Sequence, residues 1–363
     1  MLKSAMDKKE KAYIIARLLR NPNVDVGQLR ELSLSPHGYV NDELRRVVWP
    51  KLLGLDLDTK MSAHGKSKLL EHRDYNQVVM DVKRSTKRFP PAMKEEHRGK
   101  LQDQLTWLIM QVLVNNPQLH YYQGFHDICA TFLLILGKNI GYLVVDALSR
   151  SHLRDFMDPD MHRTNTMLNY LYPILDRADC ELKSYMQKAE VGTIFCLSWL
   201  ITWYGHALDS ARQTVRLCDF FLASHPLMPI YLASAIVLHR REEILETECE
   251  MCYIHVLLSN VPTNLPYEEL IGSAQQLFHK YPPSELAEEA EFDYYDSKTM
   301  KNFAKFEKGI GLHKPLEKRL WKDSKVEAES SQTTLFKVTM WTLTAAVGAA
   351  FIAAQYVASS LNS

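Results

Sequence analysis

Arg84 and Gln123 are two side chains of this sequence whose chemistry suits the hydrolysis of a nucleoside triphosphate. In GTP hydrolysis a guanidinium group neutralises charge that spreads over the transferring phosphoryl group, and an amide orients the attacking water. The arginine closes the run Val78-Val-Met-Asp-Val-Lys-Arg84, and the glutamine lies in the segment 116–124, Asn-Pro-Gln-Leu-His-Tyr-Tyr-Gln-Gly. Brought together by the fold, the two groups predict a site that accelerates GTP hydrolysis.

The sequence shows no nucleotide-binding motif of its own. The run 72–74, His-Arg-Asp, resembles the start of a kinase catalytic loop, but the downstream Leu and Asn are missing and there is no glycine-rich loop. The run 65–67, Gly-Lys-Ser, resembles the end of a phosphate-binding loop, but Lys60 stands where the first glycine is needed. The arginine and the glutamine therefore suit a nucleotide that is held by another protein.

Metal and nucleophile chemistry are weakly supported. Cys249, Cys252 and His255 give three ligands at helical spacing, whereas zinc usually takes four. The adjacent residues His126 and Asp127 precede a cysteine, but adjacent residues on a helix do not face each other. Alone, a surface arginine is usually solvated and a loop glutamine usually idle, so the GTP hypothesis depends on the pattern around them.

Helical periodicity dominates the chain and places both candidate residues. Apolar residues at helical spacing predict a helix over 71–88 that carries Arg84, and another helix beginning at Phe125. Gln123 therefore lies on a loop before a helix start, where free backbone amides favour negative ligands. No segment alternates like a strand, and no repeat period is present, so the predicted fold class is all-α.

Charge and cysteine content exclude some function classes. The 43 basic and 43 acidic residues cancel, which gives no global field to attract nucleic acid. The six cysteines, several in apolar runs, indicate buried thiols in a reducing compartment rather than a secreted disulfide scaffold. The charged N-terminus has no apolar stretch of signal-peptide length, so we expect the domain to face the cytosol.

The C-terminal region has the composition of a membrane anchor. Residues 338–358 carry no charge and are close to the roughly 20 residues that span a bilayer. Basic residues precede this segment and none follows it, which predicts a single-pass tail anchor with the large domain in the cytosol. The alternative is a buried or amphipathic helix, since the segment is only moderately hydrophobic. Small residues near Gly348 would permit dimerisation.

Several separated motifs resemble one known family. The segments 78–84 and 116–124 resemble the two signature motifs of TBC-domain GTPase-activating proteins for Rab GTPases. Further family blocks occur in the same order as Leu44, Arg45, Val48, Trp49, Trp199, Leu200 and the run 215–219. Together with the predicted anchor, the run 152–159 makes the chain similar to an endoplasmic-reticulum-anchored member. Several ordered matches are far more specific than one short pattern.

The resemblance implies a mechanism in which two catalytic residues are supplied in trans. Arg84 would be an arginine finger that stabilises charge on the γ-phosphate, and Gln123 would position the water in place of the Rab's own glutamine. Asp81 and Tyr121 would hold the two fingers, and Gly124 would allow close backbone approach. The chain would then be a GTPase activator without turnover of a substrate of its own and without a cofactor, since GTP and Mg²⁺ belong to the Rab.

The resemblance also has departures and open points. Phe125 and His126 replace the family's usual methionine and asparagine, Val78 replaces its isoleucine, and Cys218 replaces its tryptophan. Partners implied by the family are GTP-state Rabs of the Rab-one or Rab-eighteen type on the endoplasmic reticulum to Golgi route. Arg45, Trp49, Arg216 and Asp219 are interpreted as structural.

The sequence divides into five predicted regions. They are an N-terminal helical extension (1–37), the TBC domain (38–283), a linker (284–337), the transmembrane anchor (338–358) and a lumenal tip (359–363). Two other functions stay open, namely a non-catalytic Rab-binding module and a membrane scaffold. The presence of both Arg84 and Gln123 argues against a pure binding module, which needs neither group.

Overall fold

The computed structural model describes residues 6–21, 24–57, 63–85, 89 and 92–309. Within these residues the chain is helical and contains no strand, which confirms the all-α prediction. The predicted anchor, the tip and most of the predicted linker lie outside the described residues. One described helix, Phe125–Arg150, is long and apolar enough to cross a membrane, but 61% of its apolar window is buried inside the domain.

Eighteen α-helices and two short 3₁₀ helices are found in the described part of the chain. The α-helices are α1 (Lys8–Leu19), α2 (Val26–Leu34), α3 (Asp42–Leu52), α4 (Lys66–Leu70), α5 (Tyr75–Arg84), α6 (Glu95–Asn115), α7 (Phe125–Arg150), α8 (His162–Leu168), α9 (Leu171–Ala178), α10 (Cys180–Lys188), α11 (Leu197–Ile201), α12 (Ala211–Leu222), α13 (Met228–His239), α14 (Arg241–Glu246), α15 (Met251–Ser259), α16 (Tyr267–Lys280), α17 (Pro283–Leu286) and α18 (Lys298–Gly309). The 3₁₀ helices are Arg154–Met157 and Ile194–Cys196.

Side-chain caps explain where the first helices begin. The carboxylate of Asp25 accepts from the amide of Gly27 at the start of α2. The side-chain oxygen of Asn41 accepts from the amide of Leu44 at 2.9 Å and caps α3. Such caps satisfy amides that have no partner within the helix.

Helices α6 and α7 pack closely against each other, and α3 and α5 pack beside them. Gly137 breaks the helical path of α7 with a φ of 76°. Trp49 on α3 packs edge-on against Phe132 of α7, with ring centroids 5.0 Å apart. The C-terminal end of α5, which carries Arg84, and the start of α7, which Gln123 precedes by two residues, are therefore fixed to a packed core.

The folded body extends beyond both predicted boundaries of the TBC domain. Arg30 of α2 pairs with Glu307 of α18 at 2.9 Å, and both side chains are buried. Asp155 accepts from the hydroxyl of Ser297 and from the amide of Thr299. Residues 283–309 are therefore packed parts of this body, although most of them were expected in the linker. The many charged residues in this segment led to the linker prediction, because they gave no sign of the buried contacts.

Candidate functional site

Helix α5 presents Arg84 at its C-terminal end. Val78 and Val82 are buried and fix the inner face of the helix. The side chain of Arg84 is 58% exposed, and one of its terminal nitrogens donates to Asp81, three residues earlier. The arginine is thus oriented by a neighbour while most of its guanidinium remains accessible.

Asp81 is the centre of a polar group that we call the Asp81 cluster, made of Gln77, Asp81, Arg84 and Tyr121. The Asp81 side chain is only 1% exposed. Its oxygens accept from Gln77 Nε2 at 3.1 Å and from the Tyr121 hydroxyl at 2.9 Å. A buried carboxylate is costly unless it is paired and hydrogen-bonded, so these donors are what make its position tenable.

The segment 116–124, which we call the glutamine loop, is attached to the residues that precede α5. Arg73 donates to the carbonyl of Leu119 at 3.0 Å. A carboxylate oxygen of Asp74 accepts from the amide of Tyr121 at 3.3 Å. Gln123 itself is exposed, and its side chain makes no hydrogen bond to any residue that the structure describes. The loop is therefore fixed while its amide group is presented to solvent.

Gly124 ends the glutamine loop in a conformation that favours glycine. Its φ is 112°, and a Cβ at this position would stand 2.9 Å from the Cγ2 of Thr202. The neighbouring Tyr122 donates its hydroxyl to the carbonyl of Ile201 at 3.0 Å. Gly124 therefore allows the backbone to approach Thr202, which follows α11, as closely as we expected. This contact supports the glutamine loop.

The start of α7 offers fewer free amides than we expected. The amide of Phe125 donates to the carbonyl of Tyr122, and the amide of Asp127 donates to the carbonyl of Gly124. These tight turns at the helix start use groups that a phosphate would otherwise contact. An anion site built on these two amides is therefore not supported.

Tyr121 connects the two candidate residues through its hydroxyl. Burial, with the Asp81 carboxylate next in importance, raises the pKa of Tyr121 well above its usual range. The hydroxyl therefore keeps its proton and donates to Asp81. Since Asp81 also binds Arg84, and Gln123 follows Tyr121 by two residues, one carboxylate ties both candidate residues to each other.

A second buried carboxylate, Asp219, holds the fold together. We call Tyr39, Arg45, Trp49 and Asp219 the Asp219 cluster. Arg45 donates to both oxygens of Asp219 at 2.9 to 3.2 Å, the Trp49 indole donates at 2.7 Å, and the Tyr39 amide at 3.0 Å. These contacts join α3, α12 and the segment before α3, which agrees with the structural role predicted for Arg45, Trp49 and Asp219.

Arg216, also interpreted as structural, lies beside that cluster. It pairs with Glu268 of α16 at 2.8 Å and donates to the carbonyl of Ser35. Lys11 donates to the same carbonyl at 3.1 Å and to that of Pro36 at 2.6 Å. The two cations thereby fasten α1 and α16 to the segment before α3.

The weaker motifs do not form sites in the described residues. No group of three or more metal-binding side chains comes together there, and Cys252 is exposed on α15. The run 72–74, set aside as a kinase-like motif, has a structural use, since Arg73 and Asp74 hold the glutamine loop. That role was missed because its contacts join residues 46 and 47 positions apart.

Two more supporting residues were not identified from the sequence. Gln77 lies one helical turn before Asp81 and donates to its carboxylate, a spacing that could have revealed it. His126 lies with its Nδ1 3.0 Å from the Tyr121 hydroxyl oxygen. Only its departure from the family pattern marked it in the sequence.

The sequence matches known proteins over most of this body. The model of the Rab-GTPase-TBC domain family matches residues 42–245. The chain is 52% identical over 283 residues to TBC1 domain family member 20 of Homo sapiens, covering 78% of this chain and 70% of that protein. The Bos taurus protein of the same name is 50% identical over 85% of this chain and 77% of its own length. GTPase-activating protein gyp10 of Schizosaccharomyces pombe is 33% identical, covering 73% and 71%.

Solved structures share the fold at low sequence identity. The Ypt/Rab-GAP domain of Gyp1p superposes with a TM-score of 0.59 at 15% identity, covering 75% of this chain and 98% of that one. The Chlamydomonas flagellar RabGAP TBC domain gives 0.56 at 16% identity, with coverage of 76% and 96%. These two similarities concern the helical architecture alone.

Proposed function

This chain belongs to the Rab-GTPase-TBC domain family of GTPase activators, and we propose that it acts by inserting Arg84 and Gln123 into the nucleotide site of a GTP-loaded Rab. Arg84 neutralises charge that develops on the γ-phosphate and the bridging oxygen. Gln123 orients the attacking water in place of the Rab's own glutamine. GTP and Mg²⁺ are brought by the Rab, and this chain contributes side chains only.

The observation that carries this proposal is the Asp81 cluster. Asp81 accepts from the Arg84 guanidinium and from the Tyr121 hydroxyl, so α5 and the glutamine loop are held by one buried carboxylate. Groups that must act together in one transition state gain most of their effect from being fixed in advance. Insertion into another protein requires exposed side chains on segments that are held in place, and Arg84 and Gln123 meet both conditions.

The Asp81 cluster also leaves donors of Arg84 and Gln123 available for the phosphate group and the attacking water. Asp81 takes one edge of the Arg84 guanidinium, and no other hydrogen bond of Arg84 is found among the described residues. A guanidinium has five N–H donors, so most of them stay available for phosphate oxygens. Gln123 likewise keeps both its carbonyl oxygen and its NH₂ group for a water and a neighbouring backbone group.

The substrates we propose are Rabs of the Rab-one or Rab-eighteen type that act between the endoplasmic reticulum and the Golgi. The support is similarity to TBC1 domain family member 20 over most of the chain, together with the uncharged segment 338–358. As a tail anchor in the endoplasmic reticulum membrane, that segment would keep the activator beside membrane-bound Rabs.

The test measures hydrolysis by a panel of GTP-loaded Rabs with the full chain in detergent micelles. Arg84→Ala and Gln123→Ala are compared with Arg212→Ala and Gln187→Ala, which remove exposed side chains of the same types elsewhere. We expect each finger variant to lower kcat by about 10³-fold or more, and the two control variants to match wild type. Wild-type rates from both finger variants would refute the mechanism.

A further inference from the structure

His126 lies between the hydroxyl of Tyr121 and the carboxylate of Asp127. Its Nδ1 is 3.0 Å from the Tyr121 oxygen, and its Nε2 is 3.8 Å from an oxygen of Asp127. The imidazole side chain is only 11% exposed, so these contacts are largely shielded from water. The other oxygen of Asp127 faces the exposed His206, with Nδ1 at 3.6 Å. A line of polar groups thus runs from the surface to Tyr121.

The partners of Tyr121 determine which atom of His126 carries a proton. Asp81 accepts from Arg84 and Gln77, so its carboxylate is an acceptor for the Tyr121 hydroxyl as well. A hydroxyl has one hydrogen, and Tyr121 gives it to Asp81. Its oxygen can then only accept from His126. The Nδ1 of His126 therefore carries hydrogen and donates to Tyr121.

We propose that His126 is a positioning residue for the arginine finger, because its Nδ1 hydrogen directs the Tyr121 hydroxyl toward Asp81. The inference rests on the proposed function of Arg84. Without this donor the Tyr121 oxygen loses the hydrogen bond that fixes its position, and its own donation to the Asp81 carboxylate is held less firmly. Arg84, which depends on that carboxylate for its orientation, occupies its working position for less of the time.

This role predicts an effect on the chemical step rather than on Rab binding. His126 acts through Tyr121, and its own side chain is largely covered by the protein. A loss of orientation lowers transition-state stabilisation, which appears in kcat, whereas a loss of docking surface appears in KM. A side chain that only filled space would give neither a selective kcat effect nor a dependence on Tyr121.

The matched variants are His126→Leu and His126→Asn. Leucine has a similar bulk and no donor, whereas asparagine places an NH₂ group at the position of Nδ1 and can still donate to Tyr121. With the full chain in detergent micelles and a GTP-loaded Rab of the Rab-one type, we expect His126→Leu to lower kcat about tenfold, the equivalent of one hydrogen bond. We expect KM to stay within about twofold, and His126→Asn to recover most of the rate.

A double-mutant cycle tests whether the effect passes through Tyr121. Tyr121→Phe removes the hydroxyl, so the effect of His126→Leu that passes through Tyr121 is already absent, and the substitution should change kcat less than about twofold in that background. A tenfold loss in both backgrounds would refute the inference, as would equal losses for the Leu and Asn variants. Circular dichroism normalises each rate to folded protein, and His126→Met replaces the leucine variant if that one does not fold.

Arg84→Ala, measured in the same series, separates this inference from the proposed function. If Arg84→Ala abolishes activation and His126→Leu behaves as wild type, the positioning role is wrong and the finger mechanism stands. If Arg84→Ala itself is as active as wild type, the finger mechanism falls, and the role of His126 falls with it.

Discussion

The Asp81 and Asp219 clusters are built from the same pair of charged groups and put to opposite uses. Each has a buried aspartate that binds an arginine and a ring donor, Tyr121 in one case and Trp49 in the other. In the Asp219 cluster the arginine, Arg45, is 9% exposed. In the Asp81 cluster the arginine, Arg84, is 58% exposed.

The difference lies in how many donors of each arginine the protein uses. Arg45 gives its Nε and NH2 to Asp219 and its NH1 to Asp42. Arg84 gives one terminal nitrogen to Asp81. A guanidinium whose three nitrogens all donate within the protein holds helices together, and one that is held by a single nitrogen is available to a partner. The same pair of residues therefore serves stability in one place and reaction in the other.

The largest effect we expect comes from Arg84→Lys. An ammonium group keeps the charge but is a single point, so it cannot contact Asp81 and phosphate oxygens with the geometry of a planar guanidinium. We expect kcat to fall by about 10³-fold, and the midpoint of thermal unfolding to change little because Gln77 and Tyr121 still donate to Asp81. Single-turnover GTP hydrolysis and circular dichroism measure the two quantities. A fall in thermal stability would mean that this arginine is structural after all.

The next effect is on stability, at Asp219→Ala. The substitution leaves the largely buried guanidinium of Arg45 without its main partner and the Trp49 indole without an acceptor. Breaking a buried pair on one side costs about 3–5 kcal/mol of unfolding free energy. Urea denaturation gives that value, and the exposed Asp209→Ala is the control, expected within about 0.5 kcal/mol of wild type. Activity per folded molecule should be unchanged, and a selective loss of kcat would erase the contrast between the clusters.

A smaller effect is expected from Gly124→Ala, which disturbs the support of the glutamine loop. The new methyl group meets Thr202 at 2.9 Å at a φ of 112°, so the backbone must shift. We expect a loss of about 1–3 kcal/mol in unfolding free energy together with a lower kcat. Gly99→Ala in α6 is the matched control, because no atom beyond its chain neighbours and the nearby backbone of its own helix lies within 4 Å of the added Cβ. A Gly124 variant as stable and active as that control would show that the loop tolerates movement.

The helices that carry these clusters were largely predictable from the sequence, and the ends of some others were not. The helix predicted to begin at Phe125 is found as α7. Residues 191–205 do not form one continuous helix but contain a 3₁₀ helix and the short α11. Trp203 and Tyr204, with φ values of 47° and 64°, end the helical path there. Left-handed backbone at aromatic residues is set by packing, which periodicity does not report.

The residues of the candidate site that could be predicted are those whose side-chain type and spacing reveal their chemistry. Arg84, Gln123, Asp81 and Tyr121 stand out because their groups and spacing match the chemistry and the family motifs. The attachment of the glutamine loop by Arg73 and Asp74 was not predictable, since those contacts bridge separate segments. The same holds for Lys11, which is fully buried although its type is usually exposed.

The smallest effect we expect is a dependence of the unfolding free energy on pH. Its source is Lys11, which lies near the Asp219 cluster. Burial, with the nearby Arg216 next in importance, lowers the pKa of Lys11 from 10.5 to about 8 in the folded protein. Between those two values the unfolded chain binds more protons than the folded one, so stability rises with pH across this range.

Lys11→Met removes this titration while leaving the rest of the chain unchanged. From pH 7 to pH 9.5, wild type should gain about 1–2 kcal/mol in unfolding free energy relative to the variant, as measured by urea denaturation at each pH. The difference between the two proteins, rather than either value alone, is the test, because tyrosines also titrate at the upper end. A constant difference would mean that Lys11 is solvated, and that the region around Asp219 is more open than its contacts indicate.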